Sequence, residues 1–200
     1  MRTGAHHPPT DSGHGEVGAV YLTRHEIASR VVELGAEIAS DYDGLEPLLI
    51  APLKSSVVFL TDLTRALPIT HTLDIVELAP YTGAAGGPVT GGVRLLKDVD
   101  VPLRDRHVLL VEDVVDTGLT LHFLCKTLSL RHPASLAAVT LLDRPYRRLV
   151  EQLPLRYVGF SVPDELFAGY GLGLDERWRA LPDLHLVAAA ELPAAASGAA

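Results

Sequence analysis

The stretch His107-Val-Leu-Leu-Val-Glu-Asp-Val-Val-Asp-Thr-Gly-Leu-Thr-Leu121 decides the fold of this chain. Its apolar run, Val108 to Val111, is typical of a strand that is covered on both faces of a parallel sheet. Two acids, Glu112 and Asp113, follow this run. We expect them at the carboxyl end of the strand, where open α/β sheets bind their ligands. The residues after them predict a turn that leads into a helix.

The turn Asp116-Thr117-Gly118-Leu119-Thr120 combines groups that can hold a phosphate. Gly118 lets the backbone approach a ligand closely, and Thr117 and Thr120 add hydroxyls to the free N–H groups of the helix start. The two acids before the turn can accept hydrogen bonds from sugar hydroxyls. The alternative is an acidic strand-to-helix turn in which an Asp or a Thr caps the helix. The order of the groups favours a phosphorylated sugar as the ligand.

Length and composition limit the classes of protein to which the chain can belong. The chain has 200 residues, 48% of them hydrophobic, which is enough for one well-buried α/β domain. A net charge of −8 argues against a general nucleic-acid or membrane surface, because such surfaces need basic patches. The single cysteine, Cys125, excludes an internal disulfide framework. The sequence holds no apolar run near the ~20 residues that span a bilayer and no signal-like N-terminus, so we expect a cytoplasmic location.

The chain divides into an arm at residues 1–18, a domain at 19–187 and an Ala-rich tail at 188–200. Within the domain, Thr23-Arg-His-Glu26 is a capping box that predicts the start of a helix. Alternating strands and helices indicate a largely parallel sheet with covering helices. Besides the motif strand, the predicted strands are 48–53, 73–79, 93–97, 135–142 and 156–162, and a helix is predicted at 119–131.

The motif resembles the phosphoribosyl-pyrophosphate (PRPP) motif of the phosphoribosyltransferases, in the version found in their hypoxanthine-guanine branch. The resemblance runs from about Tyr21 to Val187 and includes Pro52-Leu-Lys54, Gly91-Gly-Val-Arg-Leu-Leu-Lys-Asp98 and Leu141-Leu-Asp-Arg-Pro145. It implies an α/β fold of type I phosphoribosyltransferase-like character, a parallel sheet flanked by helices, with a small hood over the base pocket. It also implies an enzyme of purine salvage that transfers the phosphoribosyl group of PRPP to hypoxanthine or guanine and releases pyrophosphate.

The resemblance assigns roles to the motif residues. Asp116 would accept or relay a proton at purine N7, and Glu112 and Asp113 would hold the ribose hydroxyls, directly or through Mg²⁺. For Lys54 and Arg179, which would contact pyrophosphate, the alternative is an ordinary exposed position. The implied contacts to PRPP or the nucleotide are Lys54, Glu112, Asp113, Val114, Val115, Thr117, Gly118, Leu119, Thr120 and Arg179.

Two further segments follow from the resemblance. The Leu53–Lys54 peptide bond is often cis in the family, although the family's following glycine is Ser55 here. The loop from Pro80 to Gly92 resembles a lid, in which Tyr81 would cover the reaction centre and exclude water.

The base pocket departs from the family pattern. Arg144 stands where a lysine donates to the purine oxygen, and Leu166, or Phe167 if the register slips, stands where an aromatic ring stacks on the base. Gly173 replaces an acid that helps to bind metal and pyrophosphate, and Asp175 could substitute for it. The half of the site that binds the phosphosugar is therefore intact, and the half that binds the base is altered.

Two other functions stay open. One is a non-catalytic regulator that binds PRPP or a nucleotide, which Leu166 and Gly173 favour somewhat. The other is a phosphoribosyltransferase for an atypical base. Asp116 favours an enzyme, because a mere binder has no need of a proton-handling carboxylate. The resemblance also implies a homo-oligomer, either a dimer or a tetramer.

Overall fold

The computed structural model describes residues 17–80, 93–174 and 176–187, which form two sheets and three α-helices. The elements of the described chain are, in order, β1 Val20–Leu22, α1 Arg24–Tyr42, β2 Leu48–Leu53, α2 Ser56–Ala66, β3 Thr72–Pro80, β4 Val93–Lys97, β5 His107–Val115, α3 Leu119–Ser129, β6 Ser135–Asp143, a 3₁₀ turn at Pro145–Arg147, β7 Leu155–Ser161, β8 Phe167–Ala168 and β9 Leu184–Leu186.

The main sheet has six strands in the order β4-β3-β2-β5-β6-β7. All neighbouring pairs in it are parallel except β3 and β4, which run antiparallel. Strand β5 lies near the centre, and its register with β6 runs from His107↔Ser135 to Val115↔Asp143. The carboxyl ends of the parallel strands therefore share one edge, where this type of sheet binds its ligands.

The apolar run of β5 is unbroken because both of its faces are buried. Leu109 and Val111 pack in the cluster that includes residues of α1 and α2, whereas Val108 and Leu110 pack in the cluster with residues of α3. All four side chains have no exposed surface. A strand between two layers of helix thus uses successive residues for opposite cores.

A second sheet, with the strand order β1-β9-β8, forms the hood. It joins the two ends of the domain, because β1 comes from the N-terminal side and β8 and β9 from the final third. The ring of Tyr21 lies 4.9 Å from that of Phe167 across it. Gly18, which the sequence placed in the arm, already donates its amide to the Leu186 carbonyl at 2.9 Å.

The predicted elements are confirmed where the structure describes them, with shifts at some ends. Helix α1 begins after Thr23 as the capping box predicts, and α3 begins at Leu119 but ends at Ser129. The larger difference concerns β5, which continues to Val115, four residues beyond the predicted apolar run. Most of the predicted arm and lid and the whole tail lie outside the described residues. Among the helices that are described, none is long and apolar enough to cross a membrane.

The capping box at the start of α1 gives a test of the fold. The Thr23 hydroxyl accepts from the Glu26 amide at 3.3 Å, and the Glu26 carboxylate accepts from the Thr23 amide at 2.8 Å. We expect Thr23→Ala to lower the free energy of unfolding by about 0.5–2 kcal/mol, because it removes the acceptor from the first turn. Urea unfolding measures this loss. Thr23→Ser, which keeps the hydroxyl, is the control, and an equal loss in both variants would contradict the capping role.

Candidate active site

The turn between β5 and α3 encloses a cavity of about 210 Å³ at the carboxyl edge of the main sheet. The cavity brings together most of the motif residues. Leu119 is exposed and does not line it, and the predicted pyrophosphate contacts Lys54 and Arg179 lie outside its wall. The lining residues are Glu112, Val114, Val115, Asp116, Thr117, Gly118, Thr120 and Leu121.

Gly118 is the residue that allows this turn. Its φ of 82° lies in the left-handed region, and a Cβ there would stand 2.8 Å from Leu153 Cδ1 and 3.1 Å from Arg148 Cδ. The glycine is therefore required by the chain's own packing and backbone, in addition to any close approach of a ligand. Gly118 at the N-cap has no side chain with which to cap α3, and the Thr117 hydroxyl accepts from the Leu119 amide at 3.4 Å. The next amides of the first turn can donate to an anion.

Glu112 and Asp113 lie within β5 and not beyond its end, which corrects the sequence expectation. Because successive strand residues face opposite sides, the two carboxylates do not form a pair on one surface. Glu112 is 4% exposed, and its Oε1 has no hydrogen-bond partner among the described residues. Asp113, on the other face, accepts from the Ser56 hydroxyl at 3.0 Å.

The burial of the two acids changes their acidity. Desolvation, followed by repulsion from Asp113, raises the pKa of Glu112 well above its ordinary value. Desolvation also raises the pKa of Asp113, although hydrogen bonds from Ser55 and Ser56 act in the opposite direction. A cation or a hydrogen-bond donor placed beside Glu112 would lower its pKa again, because it favours the charged form.

Ser55 and Ser56 precede and begin α2 without capping it. Ser55 stands at the N-cap position without a side-chain cap bond within the described chain. Ser56 turns inward and is fully buried, and its hydroxyl also accepts from the Asp113 amide at 3.2 Å. The start of α2 is thus tied to β5 through this hydroxyl.

Asp116 lies at the edge of the cavity between two guanidinium groups. Its Oδ1 is 3.3 Å from Arg147 Nε, and its Oδ2 is 3.6 Å from Arg144 NH1. Both arginines also approach Asp164, at 2.7 Å for Arg144 and 3.6 Å for Arg147. These four side chains form an ion-pair network, which we call the arginine–aspartate quartet.

Arg147 and Asp164 were missed by the sequence reasoning. The Arg144-Pro-Tyr-Arg147 segment forms a 3₁₀ turn, in which residues three apart lie on one side. That spacing could have indicated that Arg147 lies beside Arg144. Asp164 is distant in sequence, and its role depends on how β7 ends beside β6.

The structure places the three residues predicted for the base pocket in different surroundings. The Arg144 side chain is 9% exposed and directed toward Asp116 and Asp164. Phe167, in contrast, belongs to the hood: it is 7% exposed in the core cluster and packs on Tyr21, and its contact with a base stays a prediction. Leu166 is half-buried next to it, and its carbonyl accepts from the Val187 amide at 2.9 Å.

Lys54 and Arg179 meet at Glu176, another residue that the sequence reasoning missed. The Glu176 carboxylate accepts from Lys54 at 2.9 Å and from Arg179 at 3.1 Å. The peptide bond between Leu53 and Lys54 is cis, as the resemblance implies. The predicted lid residue Tyr81 and the suggested substitute Asp175 lie outside the described residues.

The mostly parallel sheet, the phosphate-accepting turn and the adjoining hood define a protein of the phosphoribosyltransferase class. The chain belongs to the phosphoribosyl transferase domain family, whose profile matches residues 19–172. The expected fold class and family are thereby confirmed.

Named relatives agree with this assignment. The chain is 42% identical over 179 residues to a hypoxanthine-guanine phosphoribosyltransferase of Mycobacterium avium, covering 86% of this chain and 87% of that protein. It is 41% identical over 165 residues to a hypoxanthine phosphoribosyltransferase of Escherichia coli K12, covering 82% and 91%. A crystal structure of a hypoxanthine-guanine phosphoribosyltransferase from Bacillus anthracis matches with a TM-score of 0.79 at 38% identity, covering 86% of this chain and 99% of that one.

Burial of Glu112 predicts a pH-dependent cost to stability. Its folded-state pKa lies above the ordinary 4.5, so the native state loses stability as the pH rises above 4.5. Glu112→Gln cannot ionise and should escape this loss. We expect its melting temperature to exceed that of the native chain by a few degrees at the upper end of the pH range, since about 1 kcal/mol corresponds to roughly 2–4 °C.

Circular dichroism melts at a series of pH values from 4.5 upward measure this difference. Glu33→Gln is the control, because Glu33 is an exposed glutamate on α1 whose side chain is 59% accessible. A difference in melting temperature between the native chain and Glu112→Gln that stays constant across the whole pH range would contradict the assignment.

Proposed function

We propose that this protein transfers the 5-phosphoribosyl group of PRPP to a 6-oxopurine, hypoxanthine or guanine, in purine salvage. The observation that carries the proposal is the cavity in which Glu112, Asp116 and the Thr117–Thr120 turn converge. The names of the Mycobacterium avium and Escherichia coli relatives support the choice of base.

The turn supplies the phosphate end of this reaction. The 5-phosphate would accept from the first amides of α3 and from the hydroxyls of Thr117 and Thr120, at the positive end of the helix dipole. Glu112 would then face the ribose hydroxyls from the cavity wall, where its unpartnered Oε1 can accept a hydrogen bond. These contacts hold the ribose while its anomeric carbon reacts.

Asp116 is proposed as the proton-handling residue. The bond between ribose C1 and the pyrophosphate oxygen breaks, the bond to the purine nitrogen forms, and the proton lost by the base passes to the carboxylate. Negative charge at this place also favours the oxocarbenium-like centre. The arginine–aspartate quartet supports the role, because it places two guanidinium groups within 3.6 Å of the Asp116 carboxylate at the cavity edge.

Arg144 and Leu166 are proposed to contact the base. Arg144 does not line the cavity, but its NH1 lies 3.6 Å from Asp116 Oδ2, so its guanidinium is proposed to donate to a purine oxygen beside that carboxylate. Leu166 would offer an apolar surface without ring stacking, and a lost stack costs about 1–3 kcal/mol. These two residues also favour a second candidate, the same transfer to an atypical base.

Mg²⁺ is proposed as the cofactor. Within the described ranges no three His, Cys, Asp or Glu side chains converge on a point that could hold a metal. The site fits Mg²⁺ through the Glu112 carboxylate and the substrate's own phosphates, since this ion commonly uses one or two carboxylates and keeps several waters. Asp113 accepts a hydrogen bond from the Ser56 hydroxyl and would have to lose that bond before it could bind the ion. Bound Mg²⁺ would neutralise charge on the leaving pyrophosphate.

Lys54 and Arg179 are proposed to bind the diphosphate, and Tyr81 to cover the site during reaction. We also propose a cytoplasmic homo-oligomer, in keeping with the acidic composition and the exposed apolar side chains on several elements.

Pyrophosphate release tests the proposed reaction. The native chain should release pyrophosphate when it is mixed with PRPP, Mg²⁺ and hypoxanthine or guanine. Release with another base in place of these two would favour the atypical-base candidate. Tight PRPP binding without release on any base would contradict an enzyme and leave a regulator.

Asp116→Asn tests the role of the carboxylate. We expect kcat to fall about a hundred-fold or more, the usual effect of losing a general acid–base group, while PRPP affinity changes little. Asp164→Asn is a matched control, because Asp164 pairs with the same two arginines. Equal losses of kcat in both variants, or equal losses of kcat and PRPP affinity in Asp116→Asn, would assign Asp116 a structural role.

A further inference from the structure

A carboxylate of the chain itself lies across the two cations assigned to the diphosphate. Glu176 Oε2 is 2.9 Å from Lys54 Nζ, and Glu176 Oε1 is 3.1 Å from Arg179 NH2. Each oxygen of one carboxylate thus serves a different cation. This is how two oxygens of a diphosphate would be expected to bind the same pair.

The loop around Gly173 leaves no room for an acid at that position. A Cβ at position 173 would stand 2.6 Å from the Arg177 carbonyl oxygen and 2.7 Å from Arg179 Cγ, so this loop excludes any side chain there. Leu174 and Arg177 form an antiparallel bridge, and Glu176 has a φ of 64°. The carboxylate on Lys54 and Arg179 is thus that of Glu176, three residues beyond Gly173.

We propose that Glu176 is an internal anion that occupies the diphosphate end of the site and is displaced when PRPP or pyrophosphate binds. This inference rests on the proposed function, because it takes Lys54 and Arg179 as diphosphate ligands. Glu176 lowers the affinity for PRPP and pyrophosphate in two ways. It competes for the cations, and its negative charge repels a polyanion that approaches them.

Glu176 also orders Lys54 and Arg179, which would strengthen diphosphate binding. The contacts of the two cations show that this effect is the weaker one. Arg179 has a second anchor, because its NH1 donates to the Gly171 carbonyl at 2.9 Å and the Gly171 amide donates to the Arg179 carbonyl at 2.9 Å. It keeps its place without Glu176. The Lys54 side chain is 64% accessible and flexible, so little order is lost when its pairing is removed.

Glu176 is charged under ordinary conditions. Hydrogen bonds from Lys54 and Arg179 hold the pKa of its carboxyl below the usual value. The competition is therefore present throughout the neutral range, and it is weak enough to be reversed, because exposed ion pairs are individually modest.

Calorimetric titration with pyrophosphate, and separately with PRPP, both in Mg²⁺, tests the inference on the whole chain. Glu176→Gln should bind both roughly two- to ten-fold more tightly than the native chain, as removal of two exposed ion pairs predicts. Glu176→Ala should show the same direction. Glu33→Gln is the matched control, because Glu33 is 59% accessible and forms a 2.9 Å pair with Arg30, and its titrations should equal those of the native chain.

Each other result overturns the inference. Unchanged affinity in Glu176→Gln would mean that the carboxylate does not compete, and weaker affinity would mean that it helps to recruit the diphosphate. Failure of the proposed function is seen separately: a native chain without turnover on any base fails as an enzyme, whatever the affinities of the variants. A native chain that binds neither PRPP nor pyrophosphate overturns both.

Discussion

The parallel pairing of β5 with β6, from His107 to Glu112 and again at Val114 and Val115, is the constraint on which the site depends. The pairing continues past the two acids to Val115↔Asp143. The backbone at Glu112 and Asp113 is therefore held in the sheet, and their side chains must enter opposite faces. Asp116 is the first residue after the strand, so the sheet positions it at the cavity edge.

The segment that follows β6 then closes over the turn that follows β5. The Arg144 amide donates to the Val115 carbonyl at 3.0 Å, and the Leu149 amide donates to the Thr117 carbonyl at 2.9 Å. Gly118 completes the contact, since the space of its absent side chain is taken by Leu153 and Arg148. The segment proposed to contact the base and the turn proposed to hold the phosphate therefore share backbone hydrogen bonds. These bonds fix the position of one segment relative to the other.

Most of the fold could be predicted because its signals are local. A capping box, apolar runs of strand length and a glycine-containing turn each report on a few neighbouring residues, and Thr23, β2 and the start of α3 were found in this way. The end of β5 was missed because charged residues ordinarily mark the end of a buried strand. Here the Ser56 hydroxyl donates to Asp113, whereas Glu112 is buried with its Oε1 unpartnered among the described residues.

Much of the site could not be predicted, because it depends on partners that are distant in sequence. Arg147 was missed, and so was the contact of Phe167 with Tyr21 from the other end of the domain. Glu176 lies 122 positions from Lys54, and nothing in its local pattern distinguishes it from a surface glutamate. Periodicity carries information about burial but none about which charges meet.

The departures from the family pattern are better understood as changes of charge pairing than as simple losses. A lysine at position 144 would present a single point charge, whereas the planar fork of Arg144 lies 2.7 Å from Asp164 and 3.6 Å from Asp116. At Gly173 an acid is absent, and Glu176, three residues on, lies 2.9 Å from Lys54. Opposite charges are thus adjacent both at Arg144 and beside Gly173, whereas Leu166 adds no charge to the site.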